Sequence, residues 1–133
     1  MKGVVFNDGV EVQVFIQGES WRQGNCLSGS IQITNHNESK VNQEVFGVSL
    51  AYAKFKELKK KSDSFIILDE FEHMAQDGEK KNWSFNLDEN CAITDKVGSF
   101  YLLFGKNKDY KNCGQLQLNI LPHLLINDFT NIL

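Results

Sequence analysis

Hydrophobic and polar residues alternate along much of this chain. Successive side chains of a β-strand point to opposite faces, so an apolar residue at every second position marks a strand with one face in a core. The run Val10-Glu11-Val12-Gln13-Val14-Phe15-Ile16 places Val10, Val12, Val14 and Ile16 on one face. After a loop over 17–25, residues 27–34 turn Leu27, Ile31 and Ile33 inward and Ser28, Ser30, Gln32 and Thr34 outward. Gly29 falls on the inward side, where a missing side chain permits a close approach or a bulge. Phe46, Val48, Leu50 and Tyr52 alternate with Gly47, Ser49, Ala51 and Ala53. Phe65-Ile66-Ile67-Leu68 opens a further strand that continues toward Met74, and Trp83, Phe85 and Leu87 alternate with Ser84, Asn86 and Asp88. Residues 100–104 are apolar throughout, as a central strand is, and Leu116, Leu118 and Ile120 close the series. Polar segments at 35–40, 77–82 and 107–114 supply turns. The pattern predicts an all-β fold, an antiparallel sandwich of about seven or eight strands.

The tail departs from this period. After Pro122, residues Leu125, Phe129, Ile132 and Leu133 follow the spacing i, i+4, i+7, i+8, which predicts a short C-terminal helical segment. An isolated helix of about three turns is marginal in water and needs a surface to pack on. Phe129 is therefore expected to contact the chain's own sandwich, a second protomer or a partner.

Composition narrows the class. A chain of 133 residues, 41% of them hydrophobic, can bury a core without staples, and residues 1–133 read as one domain. The ten Phe residues suit the thick interior between two sheets. A net charge of −3 argues against a nucleic-acid partner. Cys26, Cys91 and Cys113 lie far apart and form no Cys-x-x-Cys pair, so neither a zinc knuckle nor a redox motif is indicated. Free thiols in a reducing compartment are the simplest expectation. With no apolar leader or spanning run in the sequence, a soluble cytoplasmic protein is expected.

Two stretches carry a resemblance to a known family. The first is Glu19-Ser20-Trp21-Arg22-Gln23-Gly24-Asn25-Cys26-Leu27-Ser28-Gly29-Ser30-Ile31-Gln32-Ile33, a Gly-containing turn followed by an alternating strand. The second runs from Phe85-Asn86-Leu87 through a polar link to Gly98-Ser99-Phe100-Tyr101-Leu102-Leu103-Phe104. Both resemble the N-terminal lobe of the arrestin-like fold, as in bacterial sporulation-control proteins, and Leu118-Asn119-Ile120-Leu121-Pro122-His123 is similar to their lobe-closing strand. The resemblance implies an immunoglobulin-like sandwich acting as a non-enzymatic, protein-binding scaffold or adaptor. Relatives have two lobes whereas this chain has length for one, so no inter-lobe mechanism carries over, and no functional residue does because none of these motifs is itself a binding site.

Candidate chemistry is sparse. Asp69-Glu70-Phe71-Glu72-His73 puts Asp69 and His73 on one strand face, at most a partial metal site and otherwise a solvated strand. His36 in a polar turn and His123 after Pro122 read as surface residues. No phosphate-binding glycine loop or nucleophile elbow occurs, so neither catalytic residues nor a cofactor are expected. Lys54, Lys56, Lys59, Lys60 and Lys61 form the basic cluster. Lys59–Lys61 could meet an acidic partner or an anionic membrane surface, against the plainer reading of a solvated loop or an edge guarded by lysine. Trp83 is expected in the core, whereas Trp21 in its loop is either buried or an exposed contact. A protein partner, or self-association, leads. The alternative is a ligand- or membrane-surface-binding sandwich of carbohydrate-binding or C2-like type, which the missing aromatic platform and the absence of clustered loop aspartates disfavour.

Overall fold

A computed structural model describes residues 1–36, 44–74 and 78–123. The expected C-terminal helix and Phe129 lie outside the described residues. Two four-stranded antiparallel sheets face each other. The first contains β1 (Lys2–Asn7), β2 (Val10–Ile16), β4 (Cys26–Asn35) and β7 (Lys80–Asn86), in the order β1-β2-β4-β7. The second contains β5 (Val45–Lys54), β6 (Ile66–Met74), β8 (Gly98–Lys106) and β9 (Gly114–Leu118), in the order β6-β5-β8-β9. Two short strands, β3 (Trp21–Arg22) and β10 (Ile120–Leu121), pair in parallel outside both sheets. Among the described residues one helix, α1 (Phe55–Lys60), follows β5 directly.

The alternation translates into burial as expected. Val10, Val12, Val14 and Ile16 of β2 and Leu27, Ile31 and Ile33 of β4 meet Phe46, Val48, Leu50, Phe100, Leu102 and Phe104 of the second sheet in one core. Trp83 and Phe85 join it from β7, their rings 5.3 Å apart between centroids.

Ten strands among the described residues exceed the seven or eight anticipated, and the additions have separate causes. β1 and β2 form a hairpin around Asp8-Gly9, where Asn7 pairs with Val10 and both loop residues have positive φ, 52° and 80°. A two-residue loop with φ above zero at both positions matches the twist of its strands, which is why Asp-Gly recurs there. β3 and β10 hold only two residues each, too few for any period to register. The expected last strand is also divided. At Asn119 the chain leaves β9 and crosses to β3, although Leu118 and Ile120 are both buried. Thr94 accepts the Ile120 backbone N–H at 2.9 Å and donates to the Leu118 carbonyl at 2.8 Å, fixing that switch.

The charged stretch after β5 is a helix rather than a loop or an edge strand. Phe55 and Leu58, spaced i, i+3, pack with Phe65 and Ile67 against Ala51, Ala53, Tyr101 and Leu103 on the outer face of the second sheet. Small Ala51 and Ala53 leave room for the helix to lie close, and that contact sustains six residues too few to be helical alone. Lys59 and Lys60 sit in the last turn, where positive charge complements the helix dipole. The middle strands of the second sheet, β5 and β8, are therefore covered on both faces.

Candidate functional site

The two flanks of the sandwich differ. On one, Asn7 at the end of β1 bridges to the second sheet: its Oδ1 accepts the Lys106 N–H and its Nδ2 donates to the Asn112 carbonyl, both at 3.1 Å. On the other flank stand β6 and β7, the terminal strands of their sheets. Between them lies a cleft of about 420 Å³. Buried Leu50, Leu87 and Phe100 line it together with half-buried Tyr52 and Cys91, and exposed Ile66 and Leu68 of β6 stand at its side. Asp69 and Asp88, both exposed, bring carboxylates to it. This size and an apolar lining with few polar groups are those of a binding cleft.

Local backbone explains the wall. Leu50 pairs with Asp69 and Ala51 with Ile67, so Leu68 is an extra, unpaired residue, a β-bulge. A bulge bends an edge strand and redirects a side chain. Leu68 is thereby left 52% exposed beside the cleft and Ile66 60%. The far wall is set by a turn in which the Asn90 N–H donates to Asp88 Oδ1 at 2.7 Å, followed by Cys91.

Two titratable groups of the cleft are held in their neutral forms. Burial, then the charge of Asp88, pushes the Cys91 thiol up, away from the thiolate form. Burial and then Asp95 raise the Tyr52 phenol. Both remain neutral near pH 7 and offer hydrogen bonds rather than charge.

The residues singled out from the sequence do not converge. Trp21 is corrected from a possible exposed contact to a buried one, 7% exposed in β3, its indole N–H donating to the Gln17 carbonyl at 3.0 Å. Lys59, Lys60 and Lys61 are exposed, on and just beyond α1, but Phe55 and Leu58 of that helix are used on the sheet. Asp69 is exposed while His73 is buried, and among the described residues no group of three His, Cys, Asp or Glu is placed to hold a metal ion. His36 Nε2 lies 2.8 Å from Glu11 Oε1, and this contact, then Gln13, holds the Glu11 carboxyl below its ordinary value. Cys26, Cys91 and Cys113 are all free thiols.

Sequence reasoning missed Leu68, Tyr52 and Cys91 as cleft residues. One signal was present: Ile66-Ile67-Leu68 is apolar without alternation, which a half-buried edge strand does not need. Ile67 packs under α1, while its neighbours border the cleft.

His73 carries a pH prediction. Its Nε2 is buried without a hydrogen-bond partner, and desolvation lowers its pKa, outweighing Glu79, which raises it, and adding to Lys81. With the folded value below the unfolded one, the unfolded chain takes up the proton first on acidification. Stability from this residue is thus complete above about pH 6.5 and declines below it. Urea midpoints should fall from about pH 7 to about pH 5.5, and His73→Leu should flatten that fall. An equally steep decline in the variant would assign it to other groups.

The fold and cleft together define an all-β sandwich with one bridged flank and one open, apolar flank. No family model matches the chain, and no curated protein matches it. Among solved structures, it is similar to a β-glucosidase from Listeria innocua in complex with gluconolactone, at a TM-score of 0.52 and 14% identity. The match covers 84% of this chain and 16% of that one, so the chain spans a small part of that protein's length. At this identity the likeness concerns the fold alone. No helix of the described residues is long and apolar enough to cross a membrane.

Proposed function

We propose that this chain is a non-enzymatic, cytoplasmic protein-binding scaffold or adaptor of arrestin-like kind, and that the flank between β6 and β7 receives its partner. The open apolar cleft beside the outer edge of β6 carries this reading. A partner segment in extended conformation can add to a sheet edge through its backbone while alternate side chains enter adjoining pockets. Here those side chains would be apolar and would meet Leu50, Leu87 and Phe100. Asp69 and Asp88 favour Lys or Arg at the ends of the segment. The sequence resemblance to arrestin-like lobes supports the same class of role.

Selection from a displayed library of random peptides tests the idea. The expected consensus alternates apolar residues and carries flanking basic ones. Leu68→Asp, at an exposed position, should weaken the selected peptides by about tenfold or more while leaving the melting temperature near that of the parent. Failure to enrich any sequence, or equal binding to Leu68→Asp, would remove the site.

A further inference from the structure

We infer a second binding site, for an extended oligosaccharide, on the outer face of the first sheet. Two adjoining hollows of about 750 Å³ and about 300 Å³ open along it, the larger also reached by Phe71 of β6, and share Phe15, Ser30 and Lys80. The Phe15 ring, 42% exposed, therefore borders both.

The register explains how the lining is built. Across three strands Phe15 pairs with Ser30 and Ser30 with Asn82. One row away Ser28 pairs with Ser84, and on the other side Gln13 pairs with Gln32 and Gln32 with Lys80. Neighbours within a row are about 4.8 Å apart and rows about 6.8 Å apart, so the face presents a two-dimensional array of hydroxyls and amides. Each such group both donates and accepts, which matches a ligand whose every hydroxyl does likewise. Ser28, Ser30, Asn82 and Ser84 make no side-chain hydrogen bond among the described residues, so their capacity is uncommitted.

A merely solvated sheet face would be expected to carry charges of both signs. Among the described residues no Asp or Glu lines either hollow, and the charges there are those of Lys2 and Lys80. An aromatic ring amid neutral donors and acceptors suits the apolar ring faces and hydroxyl rims of sugars. The lysines admit uronate carboxylates as well.

Native affinity electrophoresis tests this with the whole chain run through gels containing xylan, barley β-glucan, glucomannan or polygalacturonate. Retardation by at least one polymer is expected, the neutral and acidic gels separating plain hydroxyl recognition from uronate recognition. Phe15→Ala should weaken that retardation about tenfold at an unchanged melting temperature, because the ring points away from the core. Asn82→Ala, on the same row, should weaken it in the same gel. Migration unaffected by every polymer overturns the proposal, as does retardation that both variants retain in full.

Discussion

Leu103→Asn is expected to lower the unfolding free energy by about 3–5 kcal/mol, read as a reduced urea midpoint at unchanged slope. Leu103 lies on the sheet face turned away from the sandwich core. Leu102 faces the core between the sheets, so Leu103 faces the outer side of the second sheet. Here that outer face is closed. Leu103 is 2% exposed, packed with Ala51, Ala53 and Tyr101 beneath Phe55, Leu58 and Phe65. Replacing it removes buried apolar surface and strands an amide where water does not reach. Those two costs act together. Leu103→Ala, which leaves no polar group behind, should cost less. A loss below about 1 kcal/mol for the asparagine variant would show that α1 lifts away readily and that the outer cluster contributes little.

Gly29→Ala should cost about 2–3 kcal/mol, for a reason tied to the opposite sheet face. A Cβ at this position would stand 1.8 Å from the Phe15 carbonyl oxygen and 2.7 Å from Cζ2 of the Trp83 indole. The ring could swing, but the carbonyl belongs to the backbone of β2, where Ile16 pairs with Gly29. Relief therefore means displacing a paired strand. Because Phe15 also borders the outer hollows, the same substitution should disturb that face, in contrast to Phe15→Ala, which leaves the backbone in place. Thermal unfolding of both variants separates the cases: Gly29→Ala should melt lower and Phe15→Ala should not. Equal melting temperatures would mean that β2 and β4 separate at little cost.

Much of the core was legible because a strand half-buried on a sandwich writes its orientation into every second residue. Val10, Val12, Val14, Ile16, Leu27, Ile31, Ile33, Trp83 and Phe85 were placed inward on that ground, and all are buried. The apolar run over 100–104 announced a strand covered on both faces, as β8 is. Elements shorter than a period were not legible. β3 and β10 are held by each other and by contacts such as the Trp21 N–H to the Asn119 carbonyl, at 3.0 Å across a long sequence separation. The Asp8-Gly9 turn is a different case. Its hairpin signature stood in the sequence and would have located β1, whose own burial pattern is mixed.

The cleft was less legible than the core. Its residues come from four separate stretches of chain, and none is chemically unusual by itself. Leu68 reaches it through a bulge, a one-residue mismatch that exists only in relation to β5. Cys91 and Asp88 reach it through the turn after β7.

By itself the sequence determined the all-β class, the faces of the long strands and the membership of the central core, because those follow from the two-residue period and the cost of leaving apolar area in water. The tertiary structure alone decided the rest: α1 against small alanines, the burial of Trp21, the division of the last strand at Asn119 and the open flank beside β6. Each of these depends on which distant segments become neighbours, and pairwise packing leaves no periodic trace in a single chain.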